Sequence, residues 1–275
     1  MSWALRLLPA LSQAYAAARG AGLLERRWFR RVYVRAYFAY KRHLEDPFEG
    51  LVGARPDLFQ GGHILDVGAH IGYTASLFRQ VITRGFRIYA FEPDPANLGI
   101  LRETTREGGA SDVIVPVAAA VGDRDGEADL WRNPMHPGDH RLATAAFREW
   151  VGKVEGTLPV RLWSIDGFLR AEKEDGPVAF VKIDTQGSEP AVCRGMEELL
   201  GRCPGVAVAL EYAPRELEAQ GFDPESLPQF FQARGRSVRV LAKAGSVEDV
   251  PLASLRGLAL RGRGYLDLLV LPERT

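Results

Sequence analysis

Residues 64–74 read ILDVGAHIGYT, an apolar run that ends on an aspartate and gives way to a glycine turn. Asp66, Gly68 and Gly72 stand at D-x-G-x-x-x-G spacing, after the strand pattern HILDV and before a helical pattern that runs through Phe78 and Val81. A strand, a glycine turn and a helix in that order restrict the chain to folds in which helices return across a parallel sheet. Gly68 can take a backbone conformation closed to other residues, and its missing side chain lets a ligand approach the main chain. Ligands of such sheets bind outside the carboxyl ends of the strands. Asp66 supplies a carboxylate there, which suits an ammonium or sulfonium and opposes a pyrophosphate.

The pattern repeats downstream. FRIYAFE predicts a second strand, and PDPANLGILRETTRE a second helix with proline and aspartate in its first turn. DVIVPV with the following AAAV predicts a third strand; VAFVKID and VAVALEY predict two more, each followed by a helix. SVRVL and YLDLLVL read as a terminal antiparallel pair, with no clear helix in the linker that holds AGSVEDVPLASLRG. Between Leu130 and Leu158, Asn133, Pro134, Pro137, Gly138 and Asp139 precede a short helix to about Trp150. So long a connection is expected to be a functional lid or binding loop. The chain of 275 residues divides into an N-terminal helical extension, residues 1–50, and one α/β domain, residues 51–275.

Two common nucleotide signatures fail. A dinucleotide fingerprint G-x-G-x-x-G counted from Gly68 meets His70 and Tyr73 at its next glycine positions, and no Gly-Lys-Ser or Gly-Lys-Thr of a phosphate loop occurs. Glu92 closes the second strand 24 positions after Gly68. An acid there can accept hydrogen bonds from both hydroxyls of a ribose.

Thirty-five lysines and arginines balance 35 acids, so no global field draws the chain to nucleic acid. Cys193 and Cys203 are the two cysteines; a disulfide framework is excluded, no zinc set can be assembled, and a reducing cytoplasm is the expected location. The first 22 residues read as a helix rather than an export signal, because Arg6 and Pro9 interrupt their apolar run, and no stretch is long enough to span a bilayer. Trp28, Phe29, Val32, Tyr33, Ala36 and Tyr37 recur at helical spacing as an apolar face among Arg26, Arg27, Arg30, Arg31 and Arg35. Two readings compete for this helix: packing on the main domain with a solvated basic face, or a surface for an anionic substrate, a membrane or a partner helix.

Seven motifs, ILDVGAHIGYT, YAFEPDPANL, AAVGDRDGEADL, GDHRL, WSIDGFL, VKIDTQGSEPAV and LEYAP, together resemble the FkbM-type S-adenosylmethionine-dependent methyltransferases, in the family's order from about residue 62 to residue 215. A weaker match through GFDP and QARG extends to about residue 235. The resemblance implies a class I methyltransferase (Rossmann-like) fold, with a seven-stranded, mostly parallel sheet whose last strand is antiparallel. It implies that Asp66, Gly68, Ala69, His70, Gly72 and Tyr73 line the methionine part of S-adenosylmethionine, that Glu92 holds the ribose, and that Asp112, Ala120 and Val121 border the adenine. The chain departs from the family at His70, usually asparagine, and at Gln186, usually an acid.

Methyl transfer from a sulfonium needs alignment and, for a hydroxyl acceptor, a base. Asp184, His140 and Glu211 compete for that role, and His136, Arg141, Lys182, Glu189 and Tyr212 are candidates to meet the acceptor. With an amide at Gln186 no metal site is expected there. The expected activity is O-methylation of a hydroxyl on a sugar, glycolipid or secondary metabolite, the acceptor class coming from the resemblance. N-methylation, carboxyl methylation and a non-catalytic binding protein are the alternatives. The expected partners are a small-molecule or glycan acceptor and no nucleic acid, the basic N-terminal helix being compatible with peripheral membrane contact; oligomeric state stays open.

Overall fold

The computed structural model describes residues 26–133, 138–152, 154 and 156–273. Helices α1 (Arg27–Tyr40) and α2 (Phe48–Ala54) lead into β1 (His63–Val67), α3 (Tyr73–Phe78), β2 (Ile88–Phe91), α4 (Pro95–Glu107) and β3 (Ile114–Val117). Then come β4 (Ala120–Val121), β5 (Gly126–Trp131), β6 (Arg141–Leu142), α5 (Ala145–Val151), β7 (Thr157–Trp163) and α6 (Ile165–Ala171). The chain continues with β8 (Val178–Ile183), α7 (Glu189–Arg194), α8 (Glu197–Arg202), β9 (Ala207–Tyr212), α9 (Pro214–Ala219) and α10 (Ser226–Gln232). It closes with β10 (Arg236–Leu241), β11 (Val247–Glu248), α11 (Leu252–Arg261) and β12 (Leu266–Pro272).

The main sheet has the order β11-β10-β12-β9-β8-β1-β2-β3. Strands β3, β2, β1, β8 and β9 are mutually parallel, and β12 is antiparallel to both its neighbours. Seven strands of this sheet match the expected set, and the two-residue β11 adds an eighth at the edge. Every residue of β1 and β2 is buried, as central strands covered on both faces require. Alternation along the strands divides the core. Leu65, Val67, Tyr89 and Phe91 pack on one side with Ile165 and Phe168, whereas Ile64, Ile88 and Ala90 pack on the other with Phe59, Phe78 and Phe180. Helix α4 begins as its sequence suggests: Pro95 opens it, and the Asp94 carboxylate accepts hydrogen bonds from the amides of Ala96 and Asn97.

Several expectations are corrected. Residues 112–121 do not make one strand: after β3 the chain turns, with the Ala119 amide donating to the Val117 carbonyl, and β4 enters a second sheet of order β4-β7-β5-β6. The connection between Leu130 and Leu158 therefore carries β6 as well as the expected short helix α5, and joins two antiparallel strands, β5 and β7. The linker between β10 and β12 contains helix α11, whose Leu255 and Ala259 are buried one turn apart; Gly257 within it and Pro251 before it mask that helical signal. The inward side of α1 also differs. Phe29, Tyr33, Tyr37 and Phe38 are partly covered, but Trp28, Val32 and Ala36 are exposed. Ion pairs from Arg30 to Glu103 and from Arg31 to Glu107 fix that rotation. The expected division at residue 50 falls inside α2, whose Phe48, Leu51 and Val52 are buried in the core of the α/β domain.

Phe180 is fully buried, with its ring centroid 4.4 Å from that of Phe59 and 5.5 Å from that of Phe78. Phe180→Ala is expected to lower the unfolding free energy by about 3–5 kcal/mol in urea titration. A loss near zero would contradict this packing.

Candidate functional site

The site forms where β1, β2, β8 and β9 end. The turn after β1 needs left-handed backbone at Gly68 (φ 75), His70 (φ 51) and Gly72 (φ 92). Gly68 is demanded by the protein as well as by any ligand: a Cβ there would lie 1.9 Å from the Asp184 carbonyl oxygen. The amides of Gly68 and Ala69 donate to the Phe91 carbonyl at 3.1 and 2.9 Å, joining this turn to β2.

Glu92 strengthens the junction. One carboxylate oxygen accepts from the His70 amide and the other from the Asp94 amide, both at 2.9 Å. The side chain is only 5% exposed. Burial and the neighbouring Asp94 push its pKa up to about 7 against the pull of these amides and of Asn97. An ionised carboxylate has about four acceptor positions, so with the two amides and Asn97 on it about one stays open for a ribose hydroxyl.

Beneath the turn, Asp66 has no exposure. One of its oxygens accepts from the Thr74 hydroxyl at 2.6 Å, and the other lies 3.5 Å from the Lys182 ammonium. Lys182 donates to the carbonyls of Gly68 (2.8 Å) and Val67 (3.3 Å) and stands 3.6 Å from Asp184. Burial alone would lower its pKa, but Asp184 and Asp66 reverse the sign and raise it, so the ammonium stays charged. Asp66 thus holds the turn from inside instead of opening toward a ligand as a strand-end acid was expected to, whereas Lys182 braces the same turn and also lines the cleft beside Asp184.

Asp184 is partly exposed at the mouth. Its burial is outweighed by Lys182, by Lys41 and by the Gln186 amide, which donates to it at 2.9 Å, so its pKa lies below the usual range. Gln186 does this from left-handed backbone (φ 54). Glu211 behaves oppositely: burial, then Asp184, Glu216, Glu189 and Asp267 raise its pKa well above the usual range. Asp267 is its direct partner across the antiparallel β9–β12 ladder. Asp184 and Glu211 face one cleft with Gly68, Ala69, His70 and Tyr73, and Tyr37, Lys41, Tyr265 and Asp267 complete its walls. The last four escape motif reading because they arrive from α1 and the β12 end, far away in sequence. The helical spacing of Tyr33 and Tyr37 is the one trace they leave.

Other expected site residues lie elsewhere. Asp112 is exposed and precedes β3; β3 is parallel to β2, so Asp112 is at the amino edge of the sheet, opposite the ligand edge, and cannot border an adenine. Ala120 and Val121 lie beyond the carboxyl end of β3 and are buried. Tyr212 is 1% exposed within the core, because neighbouring strand residues point to opposite faces and Glu211 takes the cleft side. Glu189 is equally buried, and one oxygen accepts from the Thr185 amide and hydroxyl and from the Gly187 amide; it ties the β8–α7 turn and does not reach an acceptor. The His140 ring accepts from the Asn133 amide and lies 3.8 Å from Asp94, whose amide bonds Glu92. Arg141 pairs with Asp139 (2.6 Å) and Glu216 (3.3 Å), latching the β5–β7 connection onto α9. His136 lies outside the described residues.

Comparison with known proteins adds three findings. Residues 66–238 match the family model of the methyltransferase FkbM domain. A protein-L-isoaspartate O-methyltransferase of Aeropyrum pernix is 34% identical over 100 residues, 35% of this chain and 35% of that protein, so the chain matches about a third of its length. A methyltransferase FkbM structure from Methylobacillus flagellatus superposes with a TM-score of 0.50 at 16% identity, covering 85% of this chain and half of that one. The fold is the class I, Rossmann-like methyltransferase fold.

The Glu189 pKa is pushed up to about 7, chiefly by burial, from an ordinary 4.5. A raised carboxyl pKa gives stability that is complete below the unfolded value and lost as pH rises through the folded one. Wild type is therefore expected to lose stability relative to Glu189→Gln between about pH 4.5 and 7, by about 3 kcal/mol at most. Parallel stability–pH curves from urea titration would refute this.

Proposed function

Because the chain belongs to the methyltransferase FkbM family, we propose that it transfers a methyl group from S-adenosylmethionine to a hydroxyl oxygen of a small-molecule or glycan acceptor. The observation that carries this reading is Glu92, a buried carboxylate bridging the β1 and β2 turns with acceptor capacity left over for a ribose hydroxyl. When bound, S-adenosylmethionine supplies an electrophilic methyl group on a sulfonium whose departing thioether is neutral. Gly68, Ala69 and His70 form the floor against which its methionine end would lie. Asp66 acts through the turn, so removing it perturbs the floor itself, and Glu92 is the cleaner handle on cofactor binding.

The two cleft acids divide the work. Asp184, held ionised by Lys182, Lys41 and Gln186, presents a fixed negative charge at the mouth; such a charge favours a sulfonium in a partly desolvated site. Glu211, whose pKa is raised, is the stronger base once ionised and is the residue we assign to the acceptor proton.

Two measurements test the reading. Calorimetric titration with S-adenosylhomocysteine is expected to show affinity rising as pH increases through about 7, because protonated Glu92 is the poorer acceptor for a ribose hydroxyl. Glu92→Gln should weaken binding by about tenfold or more and flatten that dependence, while His70→Asn keeps it. A slope lost in His70→Asn instead would assign the titration to that imidazole, and absence of binding by the wild type would defeat the cofactor claim. For chemistry, transfer of labelled methyl to a panel of hydroxyl acceptors should rise with pH, and Glu211→Gln should lower kcat by about 10²–10⁴-fold with KM for the cofactor little changed. Cofactor binding without transfer to any acceptor would favour a non-catalytic binding protein.

A further inference from the structure

The structure leaves a surface that the cofactor and acceptor sites do not use. On α1, Trp28, Val32, Arg35 and Ala39 recur at alternating four- and three-residue spacing, so they share one side of the helix, and all four are exposed. Trp28 is 61% and Val32 58% exposed, among the most exposed large apolar side chains of the described residues. No acid occurs in residues 27–40. Glu103 and Glu107 on α4 engage Arg30 and Arg31, whereas Arg26, Arg27 and Arg35 make no ion pair among the described residues. Tryptophan and valine beside Arg35 on one helix side, with Arg27 at its flank, suit the boundary between acyl chains and anionic headgroups.

A groove of about 580 Å³ runs beside this stripe, between α1 and the pair α3 and α4. Val34, Phe38, Leu77 and Ile100 give it an apolar lining, and Arg35 and Ala39 belong both to its rim and to the stripe. Two further lining residues, Thr105 and Tyr73 (which also borders the Asp184–Glu211 cleft), are 5% and 6% exposed, and their hydroxyls have no hydrogen-bond partner among the described residues. Buried hydroxyls of this kind are ordinarily satisfied, so the groove offers polar positions that a ligand would fill.

We infer that this face of α1, with the groove behind it, docks on a bilayer containing anionic phospholipid. Trp28 and Val32 enter the headgroup boundary, Arg35 and, from the flank, Arg27 meet lipid phosphates, and the groove accommodates part of one lipid. The opposite side of α1 carries Tyr37 and Lys41 into the acceptor cleft. Docking therefore brings that cleft within about one helix diameter, roughly 10–12 Å, of the headgroups, which suits a membrane-held acceptor. That consequence rests on the methyltransferase reading; the docking does not.

The test is co-sedimentation of the full chain with phosphatidylcholine vesicles, with and without phosphatidylglycerol. Binding is expected with the anionic vesicles alone and is expected to weaken as salt rises. Arg27→Glu/Arg35→Glu and Trp28→Ser/Val32→Ser should each weaken it by about tenfold or more, with unchanged thermal melting because these positions are exposed. S-adenosylhomocysteine titration should be unaffected in both variants, which separates failure of docking from failure of the cofactor reading. No sedimentation of the wild type, equal binding to neutral vesicles, or full binding by both variants would each overturn the proposal. Saturable binding of short-chain phosphatidic acid in solution without vesicle binding would likewise overturn bilayer docking, leaving the groove a small-ligand site.

Discussion

The ammonium of Lys182 sits where β1 and β8 end, donating to the Val67 and Gly68 carbonyls between the carboxylates of Asp66 and Asp184. Burying one charge there would be costly; burying a cation between two anions, with carbonyl acceptors for its protons, makes it tolerable. The geometry of the glycine turn follows from this contact, because it holds the turn carbonyls against β8 at the point where Gly68 has no room for a Cβ. So does the state of Asp184, which remains an anion in a crowded site. Asp184 in turn helps raise the pKa of Glu211, so the separation of the two cleft acids into a fixed charge and a base traces back to one lysine.

Around that centre the chain closes a cleft from three directions. The α/β sheet supplies its floor, the β9–β12 ladder sets Asp267 opposite Glu211, and α1 crosses above with Tyr37 edge-on to His70 at 5.3 Å and Phe38 edge-on to Tyr73 at 5.4 Å. The second sheet has a different part. Through Arg141 to Glu216, and through Gln220, whose amide donates to the Leu142 carbonyl and whose oxygen accepts from Thr144, the β5–β7 connection is pinned to α9. The same connection meets the β2 end through Arg132 and Asp94, 2.6 Å apart. Its described residues are braced against the domain, and the histidine at position 140 is part of the bracing.

Gln186 shows how a departure from a family pattern acquires meaning only in three dimensions. In the sequence it removes an acid and a metal ligand. In the fold its amide donates to Asp184, a contact that a second carboxylate would replace with repulsion. His70 is similar: its left-handed backbone presents an amide to Glu92, so the main chain does the work at that position whatever the side chain.

By itself the sequence determined the elements whose signals are local. Strands β1, β2, β8 and β9, the capped start of α4 and the pairing of Glu92 with the glycine turn are legible because apolar runs, a proline–aspartate cap and glycine spacing act over a few residues. It also carried the family and the cofactor edge of the sheet. Tertiary structure alone decided which side of each element the cleft would use. Asp112 stands at the wrong end of β3, Tyr212 on the wrong face of β9, and Trp28 on the outside of α1, because strand direction, strand alternation and helix rotation are set by packing partners distant in sequence. Tyr37, Lys41, Tyr265 and Asp267 enter the site for the same reason. Their positions depend on contacts between chain ends more than two hundred residues apart, and no local pattern of residues encodes such a meeting.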